Sequence, residues 1–250
     1  MTYKSYSKEI SARRLSPEGE LHRREDQDLL VVPQPVRDTY VRYLPQGSVA
    51  YDLGAFEGNA TAAFMKLKFR IFAFEGSIDN FELLRGNITG YARELNFGDV
   101  RLYNIALGTE DRDVVTRFND SRAIEGQYKE QLIRYRVLEK FIQDNSLPSP
   151  DLIKMDIEGM ESVVLPGCTN LLEKVRPIWQ LSIHENIEFE SENYPGFISK
   201  EDGGFDFNTF KNLDYNLYDI NMKKVTEIGG DEEFILVPKE KIPMLVATVL

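Results

Sequence analysis

Apolar positions divide the 250-residue chain into three stretches. Residues 1–32 are dominated by polar and charged side chains and are expected to form an arm or a loosely packed helix, with Ser16-Pro17-Glu18 as a helix start. From Pro35, the positions Val36, Tyr40, Val41 and Leu44 share one helical face until Pro45-Gln46-Gly47 ends it. This helix is expected to cover one edge of the domain entrance. Beyond it, short apolar runs alternate with amphipathic segments. Val49–Leu53, Arg70–Phe74, Val100–Leu107, Asp151–Met155 and Ile178–Ile183 read as strands, apolar on both faces as a covered parallel sheet requires. Thr61–Lys68 and Ser77–Gly86 read as helices between them. In the second, Ser77 is the N-cap and Ile78, Phe81, Leu84 and Ile88 face the sheet. Met160–Leu165 and Thr169–Lys174 predict a helix interrupted by Pro166-Gly167. Tyr215–Ile220 and Glu233–Val237 are strands joined through Gly229-Gly230-Asp231 with no helix between them, which implies antiparallel pairing. The pattern predicts an α/β, Rossmann-like fold: a mostly parallel seven-stranded sheet, an antiparallel C-terminal hairpin, and helices on both faces. A covering segment, 1–47, precedes one domain, 48–250.

Charge narrows the range of partners. Asp and Glu number 41 against 30 Lys and Arg, a formal charge of -11, which argues against a broad basic face and against nucleic acid as a partner. A single cysteine, Cys168, excludes an intrachain disulfide, and two histidines, His22 and His184, leave no Cys/His cluster for a structural zinc. No run approaches the roughly 20 apolar residues of a membrane helix, and the N-terminus lacks a signal-peptide pattern, so a cytoplasmic protein is expected. The sequons at Asn59 and Asn87 carry no weight on that expectation.

Three blocks concentrate the chemistry. In VAYDLGAFEGNAT a strand ends at Asp52, followed by Gly54, Gly58 and a helix. Such glycines let backbone approach a ligand, and the helix start presents free N–H groups. Two glycines alone fit an empty tight turn equally well. Glu75, however, closes the next strand, IFAFEG, 21 residues after Gly54, where an acidic side chain meets a ribose diol. Asp52 suits an ammonium group such as that of a methionine moiety and would repel a pyrophosphate. No Gly-Lys-Ser or Gly-Lys-Thr triplet exists for a P-loop, and Phe56 occupies the position where a dinucleotide fold needs bare glycine. S-adenosylmethionine, which carries no phosphate, fits these constraints. An NAD-dependent oxidoreductase is thereby disfavoured, and a non-catalytic binding domain is the other alternative.

The second block, DLIKMDIEGMESVVLPG, delivers Lys154, Asp156, Glu158 and Glu161 to the carboxyl end of the sheet, where open α/β folds keep their sites. An equally simple account makes Lys154 and Glu161 a structural ion pair. The third block, PIWQLSIHENIEF, ends in His184, Glu185 and Asn186. Imidazole titrates near neutrality, so His184 is a candidate general base.

These blocks resemble the FkbM family of SAM-dependent methyltransferases, which has the class I methyltransferase fold. DLGAFEGNAT matches its D-x-G-A-x-x-G-x-x-T, AFEGSIDN its A-F-E-P-x-x-x-N, and DLIKMDIEGMESVVLPG its D-x-I-K-x-D-x-E-G-x-E-x-x-x-L-x-G. The resemblance implies methyl transfer to an oxygen of a sugar, glycan or hydroxylated natural product. It places Asp52, Gly54 and Gly58 at the methionine end, Glu75 at the ribose, Ala106 and Leu107 at the adenine, and Asp156 beside sulfonium and acceptor. Ala55, Phe56, Asn59 and Thr61 from DLGAFEGNAT, and Gly76, Ser77 and Asn80 from AFEGSIDN, complete the candidate cofactor contacts. Three departures stand out: Gly76 replaces proline, Phe56-Glu57 replaces Asn-Ile, and Pro166 interrupts a helix. The expected reaction is an SN2 transfer with His184 as base and Asp156 and Lys154 beside it. A variant employs magnesium on Asp156, Glu185 and Asn186, hard oxygen ligands in a layout like that of catechol-type O-methyltransferases. The acceptor is expected under Ile187–Phe207, whose Phe189, Tyr194, Phe197, Phe205 and Phe207 either stack on a sugar ring or pin the segment to the core.

Overall fold

The computed structural model describes residues 32–117, 130–184, 205–228 and 232–242. Most of the N-terminal arm, Glu185, Asn186, Phe189, Tyr194, Phe197 and the Gly229-Gly230-Asp231 turn lie outside the described residues. In chain order the elements are α1 (Gln34–Tyr43), β1 (Val49–Leu53), α2 (Asn59–Lys66), β2 (Arg70–Phe74), α3 (Ile78–Leu95), β3 (Val100–Tyr103), β4 (Ala106–Leu107) and β5 (Arg112–Arg117). They continue with β6 (Glu130–Arg136), α4 (Leu138–Asp144), β7 (Leu152–Met155), α5 (Glu161–Val164), β8 (Ile178–Ser182), α6 (Thr209–Asn212), β9 (Tyr215–Asp219) and β10 (Glu233–Pro238).

Seven strands form one sheet in the order β3-β2-β1-β7-β8-β10-β9. The first five neighbours pair in parallel, and β10 is antiparallel to both β8 and β9. This is the expected mostly parallel sheet with an antiparallel C-terminal hairpin. The chain runs outward from β1 to β3 and then returns to lay β7 on the other side of β1. The carboxyl ends of β1 and β7 therefore flank the topological switch point, the place where an open α/β sheet leaves a crevice for a ligand.

Alternation along the strands separates two cores. Tyr51, Leu53, Phe72, Phe74, Ile153, Met155, Trp179 and Leu181 fill one face with large side chains. The opposite face is lined by Ala50, Ile71, Ala73, Leu152 and Ile178, and there the small Ala60, Ala62 and Ala63 belong to the same cluster. Small residues on both partners let α2 lie close to the sheet. The helix α1 packs on this face through Val36, Tyr40 and Leu44, all buried. Val41, assigned to the same stripe by periodicity, is 64% exposed. The buried positions Val36, Thr39, Tyr40 and Leu44 recur at three- and four-residue spacing, and residue 41 stands about 100° around the helix from residue 40, away from them.

Several boundaries differ from expectation. The helix α2 begins at Asn59, two residues early, after Gly58 adopts a left-handed φ of 99°. The helix α3 runs on through Gly86 and Gly90 to Leu95, because Leu84, Ile88 and Tyr91 are buried along it and that burial outweighs glycine's poor propensity. Its Ser77 cap is formed as expected, the Oγ accepting from Asn80 N. The run Val100–Leu107 is two strands, not one. After β3, residues Asn104 and Ile105 turn the chain, and β4 joins a second sheet of order β4-β6-β5. The segment after Met155 breaks into α5, a 3-10 turn at Leu165–Gly167 around Pro166, and a wide π turn at Leu171–Val175. Among the described residues no helix is long and apolar enough to cross a membrane.

Candidate active site

A row of polar side chains crosses the buried face of the sheet. Register places Asp52 beside Lys154 and Lys154 beside Gln180. Asp52 has no exposed surface. Thr61 donates to its Oδ2 at 2.5 Å, and Lys154 Nζ lies 3.7 Å from its Oδ1. The same ammonium sits 3.3 Å from Asp156 Oδ2 and donates to the Gly54 carbonyl at 3.3 Å. Burial raises the Asp52 carboxyl above its usual range, against the pull of Lys154 and Thr61. For Lys154, burial works against the charge, but Asp156, Asp52 and Glu233 outweigh it and hold the ammonium above its ordinary pKa. Asp52 is therefore an interior residue rather than a rim residue, and the ammonium it faces is that of Lys154. The simple Lys154–Glu161 pair does not form, since Lys154 turns toward β1 and Glu161 toward β8.

Backbone contact builds the corner at the switch point. Gly54 has φ of 80°, and a Cβ there would lie 1.9 Å from the Asp156 carbonyl oxygen. Only glycine allows the β1 and β7 loops to meet. Gly54 N and Ala55 N both donate to the Phe74 carbonyl, at 3.0 and 2.9 Å. Phe56 takes a left-handed φ of 50°, which turns its N–H onto Glu75 Oε2 at 2.9 Å. Ser77 N donates to Glu75 Oε1 at 2.9 Å, and Asn80 Nδ2 reaches the same oxygen at 3.5 Å. Burial raises the Glu75 carboxyl, against these three donors. Oε1 thus takes two donors, while Oε2 takes one and keeps a lone pair for a ligand hydroxyl.

The second sheet closes the far side of this corner. Asn104 Nδ2 donates to the carbonyls of Glu75 and Gly76 at 3.0 and 3.2 Å and its Oδ1 accepts from Arg134 at 3.1 Å. Gln131 Oε1, buried on β6, accepts from Ile78 N at 2.9 Å at the start of α3. A Cβ at Gly76 would stand 2.9 Å from the Ala106 Cβ, so this glycine, where the family pattern has proline, admits β4 at close range. The structure thus gathers Gly54, Ala55, Phe56, Glu75, Gly76 and Ala106 around one corner. Thr61, Ser77 and Asn80 are buried and serve Asp52 or Glu75. Asn59 is the partly exposed first residue of α2, and Leu107 is buried on β4. Gly58 packs against Leu84 and Ile88, which a Cβ would approach to 2.9 and 3.1 Å.

Across Lys154 lies a second group of charges. His184 follows β8, with Nδ1 3.2 Å from Glu161 Oε1 and Nε2 3.7 Å from Asp156 Oδ1. Glu161, itself buried, is fixed by the Ile157 N–H at 2.8 Å. Burial disfavours the imidazolium, but the Glu161 bond and the charges of Asp156, Glu161 and Glu158 prevail, pushing the pKa of His184 up to about 9. Glu158 is exposed and turns the chain toward α5 with φ of 56°. Ligand atoms of Asp156, Glu161 and His184 lie within 4.8 Å of one another. The ring nitrogens already face two different carboxylates, and Lys154 already neutralises Asp156, so the cluster is compensated from within. Of the magnesium set considered above, only Asp156 is among the described residues.

On the hairpin, Glu233 stands opposite Ser182. Gln180 Nε2 donates to its Oε1 at 2.5 Å, and Tyr40 OH donates to Gln180 Oε1 at 2.5 Å. Burial pushes the Glu233 carboxyl up to about 7. Sequence reasoning named none of Tyr40, Gln180, Glu233, Asn104 or Gln131 for the site. One signal existed: a glutamine in the otherwise apolar run PIWQLSI, since a polar residue inside a fully covered strand needs a partner. Of the expected acceptor aromatics, Phe205 and Phe207 are described, and Phe205 packs at 5.6 Å on Phe207 and 5.7 Å on Phe210 of the core.

The sheet order and a backbone-held acid at its switch point define a class I methyltransferase domain. The Methyltransferase FkbM domain description matches residues 49–217, and the chain belongs to that family. It is similar to the hexuronic acid methyltransferase AglP of Haloferax volcanii, with 25% identity over 146 residues, 57% of this chain and 59% of that protein. It is also similar to a methyltransferase FkbM crystal structure from Methylobacillus flagellatus, at 15% identity and a TM-score of 0.48, covering 93% of this chain and 58% of the other. A precorrin-6y C5,15-methyltransferase from Geobacter metallireducens gives 14% identity, a TM-score of 0.42, and coverage of 81% and 85%. The chain therefore spans a little under three fifths of the length of AglP and of the Methylobacillus protein.

Proposed function

We propose that the chain binds S-adenosylmethionine at the Gly54–Glu75 corner and transfers its methyl group to a hydroxyl oxygen of a sugar or glycan held over Asp156 and His184. The observation that carries this is the Glu75 carboxylate, clamped by Phe56 N and Ser77 N beside the close backbone approach of Gly54. A rigidly held carboxylate at a sheet's switch point suits a ribose hydroxyl. The corner also suits a cofactor without phosphate, because Lys154, the ammonium beside it, is already held by Asp52 and Asp156. When bound, the cofactor supplies an activated methyl carbon on a sulfonium.

The chain's own residues do the rest. Asp156 presents a carboxylate, 34% exposed, where positive charge would lie. Glu161 on Nδ1 fixes the ring of His184 so that Nε2 is the nitrogen available to take a hydroxyl proton. Orientation of donor and acceptor supplies most of the rate. The sugar class follows the Haloferax relative. A hydroxyl acceptor fits this charge pattern better than a carboxylate, because Lys154 and His184 are both already engaged by acids.

Calorimetric titration with S-adenosylmethionine and, in parallel, NADH tests the cofactor, with binding of the first alone expected. Glu75→Gln should weaken that binding by about tenfold or more, because one backbone N–H loses a charged acceptor. Incubation with a panel of neutral and acidic glycans, read by mass spectrometry, tests the acceptor. Binding of NADH instead would sink the proposal, and cofactor binding with no methylated product on any glycan would favour a non-catalytic role.

A further inference from the structure

The polar row does not end at Lys154. It continues through Gln180 to Glu233 on β10 and, by the same glutamine, to Tyr40 on α1. These residues lie far apart in sequence, 140 positions between Tyr40 and Gln180 and 53 between Gln180 and Glu233. Because β10 runs antiparallel to β8, its first residue lies at the carboxyl end of β8, on the same edge of the sheet as Asp156 and His184. Glu233 is only partly buried, whereas Gln180 and Tyr40 have no exposed surface. The two buried residues thus form a fixed mount, and the carboxylate they hold reaches the edge where the crevice opens.

The two oxygens of Glu233 differ. Oε1 accepts from Gln180, whose amide is oriented by the Tyr40 hydroxyl. Among the described residues no donor reaches Oε2. The charged groups facing Glu233 are Lys154 on β7, Asp156 just beyond it, and His184 beyond β8. Neither Lys154 nor His184 forms an ion pair with Glu233; their close acids are Asp52, Asp156 and Glu161. A carboxylate tied at one oxygen and open at the other, next to the proton-accepting histidine, has the form of a ligand contact rather than a fold element.

We propose that Glu233 is an acceptor-binding residue: Gln180 and Tyr40 hold it through Oε1 so that Oε2 accepts a hydrogen bond from a hydroxyl of the acceptor. This rests on the acceptor being a hydroxylated sugar, as proposed above. The chemistry selects a vicinal polyol, one hydroxyl at His184 and a neighbour at Glu233. It selects against an acceptor with a carboxylate at that neighbouring position, which would meet Glu233 charge to charge. Burial already pushes Glu233 up to about 7, so the ionised, better-accepting form gains population as the pH rises past neutrality.

The test uses the full chain saturated with S-adenosylhomocysteine. Methyl α-glucopyranoside, methyl α-mannopyranoside and methyl glucuronoside serve as probes, read by saturation-transfer NMR and titration. In Glu233→Gln the amide oxygen can still accept from Gln180, but an NH2 group replaces the acceptor at the crevice. This variant should bind the neutral glycosides at least about tenfold more weakly, with S-adenosylhomocysteine affinity and Tm unchanged. Tyr40→Phe, which frees the mount and leaves the carboxylate in place, should weaken them about threefold. Sugar binding unchanged in Glu233→Gln overturns the assignment of Glu233 and leaves the methyltransferase proposal standing. Failure of every probe to bind the native chain overturns the sugar acceptor and this assignment together.

Discussion

His184 and Glu161 form a carboxylate–imidazole pair, Nδ1 to Oε1 at 3.2 Å, with the carboxylate buried and, among the described residues, also accepting from the Ile157 N–H. The pair fixes both the direction of the ring and its charge. Replacing Glu161 by Gln removes the largest favourable influence on the imidazolium and leaves burial opposed only by more distant acids. The pKa of His184 should then fall from about 9 toward its ordinary value or below it. NMR titration of the imidazoles reads this directly, since the chain has two histidines, and an unshifted His184 would refute the pairing.

The same pair governs pH dependence. The folded-state pKa of His184, about 9, lies above the unfolded value near 6.5. Its contribution to stability is therefore complete below about pH 6.5 and is lost as pH rises through 9. Unfolding free energies from denaturant titrations at pH 6 to 10 should fall across that window, by at most about 3 kcal/mol from this group. Methyl transfer should run oppositely, rising with pH toward 9 as the neutral imidazole becomes available. A rate that is flat over this range would remove His184 from the role of base.

Lys154 is the shared cation of a buried acidic site. Its replacement by Met leaves Asp52 without a counter-ion and should cost about 3–5 kcal/mol in urea unfolding. Adding Asp52→Asn to Lys154→Met should recover part of that loss, because the orphaned charge is gone. A double variant no more stable than the single one would show that the two residues act independently.

Glycines separate the rigid corner from the open helix. Gly54→Ala forces a Cβ into the Asp156 carbonyl at 1.9 Å from a left-handed backbone, so loss of at least about 3 kcal/mol is expected. Gly86→Ala and Gly90→Ala meet nothing within 4 Å on exposed positions of α3. Each should stabilise by about 0.5–1 kcal/mol. Thermal melts of the three variants check the contrast.

Chelation addresses the magnesium variant. Asp156 and His184 are already charge-compensated by Lys154 and Glu161. Transfer rates are therefore expected to survive exhaustive EDTA treatment, and a chelator-sensitive rate restored by magnesium would reverse that conclusion.

The main sheet was legible because its strands are short apolar runs and its motifs sit at strand ends. Gly54 and Glu75 were legible for the same reason, since they belong to local patterns, whereas Asp52, read from the same pattern as a rim acid, is buried against Lys154 and Thr61. Strands β5 and β6 escaped notice because RDVVTR and EQLIRYR carry charges through their length, as fits a thin sheet with exposed positions such as Val115 and Leu132. Glu161 was legible as an acid but not as the partner of His184, since no local spacing tells which element a helix start will face. Gln180 and Glu233 needed the β8–β10 register, which only the folded chain supplies.

The Tyr40 hydroxyl carries an evolutionary consequence. A segment outside the family match, which begins at residue 49, holds by one hydrogen bond the glutamine that orients Glu233. On the proposal that Glu233 holds the acceptor, drift in that segment would retune acceptor choice while every residue of the Gly54–Glu75 corner stays fixed. Relatives could diverge in substrate by changing their first helix, and a comparison restricted to the shared motifs would miss the change.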